Sequence, residues 1–174
     1  MPKIIENVRG QLLEETKRQL REKGYAKTTI RSVSAACGLG VGTVYNYFKS
    51  KEILIATLVL ENWLGYLENM KKLNEDNPRE LLFGIYDSIR CFAAENEALF
   101  SDADAAKLIS GKRSERHRQL RLQIAALVVP LCEKGGVENP SFSAEFIAEA
   151  MISWSLDSTD FEQVYQQIEK ILKK

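Results

Sequence analysis

Apolar residues fall three and four apart along most of this chain, and no stretch alternates for long between apolar and polar, so the pattern predicts an all-α protein. Residues 3–23 read as a first helix with Ile5, Val8, Leu12, Leu13, Thr16 and Leu20 inward and Arg9, Lys17, Arg18, Arg21 and Lys23 in water. Gly24 is its stop, and Tyr25 packs back beneath the next two helices. Thr28 or Thr29 is placed to cap a second, short helix, whose stripe is Ile30, Val33, Ser34 and Cys37. Gly38-Leu39-Gly40 turns the chain, Gly38 taking positive φ without steric penalty. A third helix, about Val41 to Phe48, sends Val44 and Phe48 inward and leaves Thr43, Tyr45, Asn46 and Tyr47 outside.

The next helix runs from Ser50 to about Lys72, and its spacing predicts an apolar face of Ile53, Thr57, Leu60, Leu64 and Leu67, widened by Leu54, Leu58, Trp63 and Tyr66. Asn77-Pro78-Arg79-Glu80 opens another, with Leu81, Leu82, Ile85, Tyr86, Ile89, Phe92 and Ala93 inward. Ser101 to Ile109 reads as a short helix broken by Gly111. Ser114 opens a long one, basic at first (Arg113, Arg116, Arg118, Arg121), then apolar, with a kink expected at Pro130 and an end at Gly135-Gly136. Two final helices place Phe142, Phe146, Ile147, Ala150, Met151 and Trp154, then Phe161, Val164, Tyr165, Ile168, Ile171 and Leu172, on single faces. A Thr159-x-x-Glu162 capping box is expected to start the second of them.

Two short helices joined by a glycine turn, the second exposing polar and aromatic groups, form a helix-turn-helix pattern. Its residues carry a family resemblance. GLGVGTVYNYFKSKEIL, preceded by EKGYAKTTIRSVSAACG, resembles the signature of TetR/AcrR-type transcriptional regulators. The motif-bearing likeness covers roughly the first third of the chain. It implies an N-terminal three-helix helix-turn-helix domain, residues 1–49, and a C-terminal helical ligand-binding and dimerisation domain, residues 50–174, with helix 50–72 linking the two. It also implies that Thr28, Thr29, Tyr47 and Lys51 meet phosphates, while Thr43, Tyr45 and Asn46 face bases. Asparagine suits adenine N6/N7, and a threonine methyl suits a thymine methyl. Gly42 permits close backbone approach. At Gly40 the family often has a capping Ser or Thr, and at Val41 a polar or basic residue; these departures imply weaker or more shape-dependent recognition.

Charge adds to this picture only once it is divided. The net charge is zero, yet residues 1–55 carry 10 Lys+Arg against 5 Glu, a basic module on an acidic remainder. Because one short reading helix spans few base pairs, a two-fold dimer is expected on a near-palindromic duplex site, its two helices about one turn (~34 Å) or a multiple apart. The last two helices are the expected homodimer contact, as the resemblance implies. Trp63, Tyr66, Tyr86, Phe92, Ile124 and Trp154 are candidates for the wall of a small-molecule effector cavity, the alternative for each being ordinary core.

Enzyme chemistry has little to stand on. His117, the single histidine, lies between two arginines without a triad partner, and Gly38 to Gly42 lacks the strand and spacing of a phosphate loop. Cys37, Cys91 and Cys132 make no CxxC pair, so no metal, disulfide or cofactor is expected, and a cytoplasmic setting is. No apolar run approaches the ~20 residues needed to span a membrane. The expected function is a ligand-released repressor; the alternative is a helical dimer that binds a small molecule or partner protein and has weakened or lost its DNA function.

Overall fold

The computed structural model describes residues 7–105, 113–157 and 159–173, and every regular element among them is a helix. In chain order these are α1 (Val8–Lys27), α2 (Ile30–Ala36), α3 (Val41–Tyr47), α4 (Lys51–Met70), α5 (Pro78–Glu95), α6 (Glu97–Phe100), α7 (Arg113–Lys134), α8 (Pro140–Leu156) and α9 (Phe161–Leu172). They group into two compact units. One holds residues up to Asn62 together with the segment from Asn96; the other holds Trp63–Glu95 and the chain from α7 onward. The continuous helix α4 thus contributes its first part to one unit and its last part to the other.

In the first unit, α1–α3 and the start of α4 close around Leu12, Leu13, Leu20, Val33, Val44, Phe48, Leu54 and Leu58. Asn7, at φ 55°, caps α1 by accepting from the Gly10 amide at 3.1 Å. Gly24 breaks the helical path at φ 76°, ψ 175°, where a side chain would be strained. The chain resumes one more turn before Thr28, so the stop expected at Gly24 is a break inside a longer element. The start expected at residues 3–6 lies outside the described residues.

The second unit packs α5, α7, α8 and α9 around Leu82, Ile85, Ile124, Val128, Ile147 and Met151. Asn77 caps α5 as expected, accepting from the Glu80 amide at 3.3 Å. Asp160, rather than Thr159, caps α9, accepting from the Glu162 amide at 3.1 Å; the Thr159 carbonyl accepts from the Tyr86 hydroxyl at 2.7 Å. Gly136 ends the turn after α7 at φ 68°, and Gly135 lies so close to α9 that a Cβ there would sit 2.8 Å from the Leu172 carbonyl oxygen. Arg121 of α7 lies against Glu145 and Glu149 of α8, and His117 meets Glu149 at 2.8 Å. Pro130 lies within α7.

Two faces expected to act as one are divided between core and solvent. On α4, Ile53, Leu60 and Leu64 are exposed, while Leu54, Ile55, Leu58, Trp63, Leu67 and Met70 are buried. On α8, Phe142, Phe146 and Trp154 are exposed, and the buried positions are Ala144, Ile147, Ala148, Met151, Ile152 and Ser155. Both helices are apolar on more than one side, so spacing alone could not say which side meets the core. The expected start at Ser101 is also shifted: Ser101 ends α6, and Asp102 caps the next turn by accepting from the Asp104 and Ala105 amides at 2.9 and 3.0 Å. The rest of that expected helix, from residue 106, lies outside the described residues.

Candidate nucleic-acid interface

Position in the head begins with a buried polar strut. Gln19 of α1 is completely buried, and its amide donates to Glu15 at 2.6 Å and to the Ser32 carbonyl at 3.1 Å. The Ser32 hydroxyl in turn donates to the Gln19 side-chain oxygen at 2.6 Å, so α1 holds the first turn of α2 at a fixed place. Satisfied on both its donor and acceptor sides, the glutamine costs little to bury and gives the contact direction.

The two threonines then divide. Thr29 caps α2: its Oγ1 accepts from the Ser32 amide at 3.0 Å while Ser32 Oγ accepts from the Thr29 amide at 3.0 Å, a reciprocal capping box. Thr28 is buried, its hydroxyl donating back to the Gly24 carbonyl at 2.9 Å. Thr29→Ala is expected to lower stability by about 1 kcal/mol, seen as an earlier urea midpoint with an unchanged slope. After α2, Gly38 takes φ 65°, and the Leu39 amide donates to the Ser34 carbonyl at 2.9 Å. That closure redirects the chain into α3 within three residues.

Gly40 caps α3 with no side-chain bond, as its missing hydroxyl requires. Val44 (0 % exposed) and Phe48 (2 %) pin α3 to the core. Tyr45 (45 %) and Tyr47 (47 %) stand in water, Gly42 and Asn46 are exposed, and Thr43 and Val41 are half-buried. A Cβ at Gly42 would meet nothing, so the backbone there is open to close approach. A short helix anchored at Val44 and Phe48, with Val41 packed at the edge of the core, therefore presents Gly42, Tyr45, Asn46 and Tyr47 to solvent.

Lys51 opens α4 in a more enclosed setting. Its ammonium donates to the Tyr25 carbonyl at 2.5 Å and lies 3.7 Å from the centre of the Tyr25 ring. Burial pulls its pKa below the usual lysine range, while Glu52, Asp102 and Asp104 push the other way. Ser50 caps the helix, accepting from the Ile53 amide at 3.3 Å. Sequence reading did not single out Gln19, whose partner lies 13 residues away. It also passed over Lys27, Arg31 and Lys49, exposed cations flanking the two short helices. Their signal was the local excess of basic residues, which names no position.

The candidate effector wall is placed as follows. Trp63, Tyr66 and Phe92 form one edge-to-face group, Phe92 lying 5.2 Å from Trp63 and 6.0 Å from Tyr66 between ring centres. The Trp63 indole donates to Gln123 at 2.7 Å. Burial, then the Glu95 carboxylate, pushes the Tyr66 phenol up to about 12. Tyr86 packs instead on Phe161 at 5.5 Å, Ile124 is in the core, and Trp154 is 48 % exposed. Among the described residues no cluster of His, Cys, Asp and Glu could hold a metal ion. No described helix is long and apolar enough to cross a membrane.

A capped short helix, a glycine turn and a second helix exposing its polar row define the head as a helix-turn-helix of the DNA-reading class. Residues 12–58 match the family described as bacterial regulatory proteins, tetR family, so this segment is similar to the helix-turn-helix of that family. An uncharacterized HTH-type transcriptional regulator of Bacillus subtilis, YerO, is 36% identical over 76 residues, 41% of this chain and 26% of its own length. The HTH-type transcriptional repressor KstR2 of Mycobacterium tuberculosis is 32% identical over 85 residues, 47% of this chain and 42% of its own. Both matches therefore cover less than half of those relatives. The fold likeness extends further. The fatty acid degradation regulator FadR of Bacillus halodurans has a TM-score of 0.60 at 17% identity, with 94% of this chain and 93% of that one covered. A TetR/AcrR-family regulator of Thermobifida fusca has a TM-score of 0.61 at 20% identity, covering 95% and 96%.

Proposed function

We propose that this protein is a transcriptional repressor that binds a near-palindromic duplex as a homodimer and is released by a small-molecule effector. The observation that carries the reading is the division of α3: Val44 and Phe48 are buried, whereas Tyr45, Asn46 and Tyr47 are exposed. In that arrangement Thr43, Tyr45 and Asn46 meet base edges, and Gly40, Val41 and Gly42 bring the backbone near the groove. Tyr47, Thr28, Thr29 and Lys51 lie toward phosphates, joined by Lys27, Arg31 and Lys49. Thr28, being buried, acts through the position of its backbone.

Residues 1–49 form the DNA-binding part of this proposal, and residues 50–174 the effector and dimer part. The exposed aromatic side of α8 supports a dimer contact through α8 and α9. Aromatic walls at Trp63, Tyr66 and Phe92 are where an effector would first be sought, with Tyr86, Ile124 and Trp154 as further candidates. A ligand that favours one state by 1–3 kcal/mol shifts operator affinity about 5- to 150-fold.

The experiment is selection of duplexes from random DNA with the purified protein. An enriched inverted repeat with half-sites about one helical turn (~34 Å) or a multiple apart is expected. Enrichment of no repeat at moderate salt would favour a helical dimer that binds a small molecule or protein partner without a DNA function.

A further inference from the structure

Side chains of α1 and of the start of α2 form one hydrogen-bonded chain in the head. Arg18 donates to both carboxylate oxygens of Glu15, at 2.7 and 2.8 Å, and Glu15 accepts from the Gln19 amide at 2.6 Å. Gln19 meets Ser32, and Ser32 closes the capping box with Thr29. Only one orientation of the buried Gln19 amide fits. Its nitrogen faces two acceptors, the Glu15 carboxylate and the Ser32 carbonyl, and its oxygen faces the Ser32 hydroxyl; turned over, oxygen would meet oxygen twice. The apolar contacts of α2, through Ile30 and Val33 in the head core, carry no such direction. The Ser32 hydroxyl has a second acceptor in the Thr29 carbonyl at 2.9 Å, and Thr29 Oγ1 accepts from the Ser32 amide without help, so the cap of α2 survives loss of the glutamine. What Gln19 adds is the place of α2 on α1.

We propose that Gln19 is a positioning residue for DNA reading: it fixes α2 on α1, and α2 carries the reading helix α3 with it. The inference rests on the DNA-binding reading above. α2 passes its position to α3 through the short turn at Gly38 and through Val33 and Val44, which lie in one core cluster. Arg31, exposed in the first turn of α2, moves with its neighbour Ser32. A small rotation of α2 therefore misplaces Arg31 and the exposed side chains of α3 together. Sequence-specific binding needs both in register, whereas non-specific attraction to phosphates tolerates the error. Gln19 itself, being completely buried, touches no DNA.

The test compares wild type with Gln19→Met, Ser32→Ala, their combination, Ser32→Thr, and Leu13→Val as a core change elsewhere on α1. Methionine is close to glutamine in length and fills the buried site without polar atoms. Fluorescence anisotropy is read on the selected duplex and on a scrambled one, with the urea midpoint of each variant beside it. Gln19→Met and Ser32→Ala should each lose roughly 3- to 30-fold on the selected duplex and little on the scrambled one, with helical circular dichroism kept. Their combination should lose no more than the larger single loss, because both break one contact. Ser32→Thr keeps the hydroxyl and should bind as wild type does. Leu13→Val should lower the urea midpoint and leave the ratio of the two affinities unchanged. An unchanged ratio in Gln19→Met, or an equal fall in Leu13→Val, marks the glutamine as ordinary core and overturns the proposal. Should Gln19→Met fail to fold, equal affinities of Ser32→Ala and Ser32→Thr overturn it in the same way. Wild type that binds no duplex overturns the functional reading and this role with it; wild type that selects a duplex while Gln19→Met matches it overturns the role alone.

Discussion

Replacing Phe142 and Phe146 together by glutamate is expected to yield a folded monomer whose affinity for the selected duplex falls at least about 100-fold. The two rings are 67 % and 57 % exposed on one side of α8, beside Leu156 at 57 % and Trp154 at 48 %. The opposite side, from Ala144 to Ser155, makes the core contacts and is untouched by the exchange. Surface substitutions of this kind usually change monomer stability by no more than about 0.5 kcal/mol. In a dimer the same carboxylates are forced into an apolar contact, where an unpaired charge is costly to bury. Binding then loses the second reading helix, and the effective concentration that helix supplied disappears with it. Light scattering after size exclusion gives the mass, and anisotropy gives the affinity. A dimer that survives both charges would place the subunit contact elsewhere.

The second large effect lies in the head. Phe48→Ala should cost about 3–5 kcal/mol of stability, enough to unfold a small three-helix module on its own. Phe48 is 2 % exposed, ends α3 with its amide donating to the Val44 carbonyl at 2.9 Å, and lies 5.9 Å beneath the Arg9 guanidinium. Removing the ring leaves a cavity beside Val44 and takes away one of two anchors for the reading helix. Amide exchange over residues 8–58 should become fast in the variant. Persistent protection of α1–α3 would show that the remaining residues hold the helix unaided.

How much of this could be seen in the sequence depends on the range of each contact. Gly38 at positive φ and the inward pair Val44 and Phe48 follow from local rules, because a turn and one helical repeat involve residues three to four apart. Thr28 and Thr29 are chemically equal as caps; only the break at Gly24, which aims Thr28 back toward its carbonyl, separates them. Gln19 was invisible because a polar side chain is buried only when distant partners satisfy it, and those lie on α2. The outward side of α4 was misjudged because Leu54, Leu58 and Trp63 compete equally well with Ile53, Leu60 and Leu64 for the core. α6, four residues long, is shorter than any periodic signal.

On the functional side, Thr43, Tyr45, Asn46 and Tyr47 were legible as a surface; the last three are exposed and Thr43 is half-buried. The aromatic wall was legible only as composition. Trp63, Tyr66 and Phe92 do gather, while Tyr86 belongs with Phe161 and Trp154 faces outward, since equal hydrophobicity says nothing about which rings share a neighbour. Lys51 could be read as a cation in the right place, but not as one held by Tyr25 across 26 residues.

The most direct measurement is anisotropy of Thr43→Ala and Asn46→Ala on the selected duplex and on a scrambled duplex of equal length, at one fixed salt concentration. The account predicts that each variant loses about 1–3 kcal/mol on the selected duplex and almost nothing on the scrambled one, because base contacts carry sequence and phosphate contacts do not. Equal losses on both duplexes, or none on either, would contradict a reading in which α3 faces the groove.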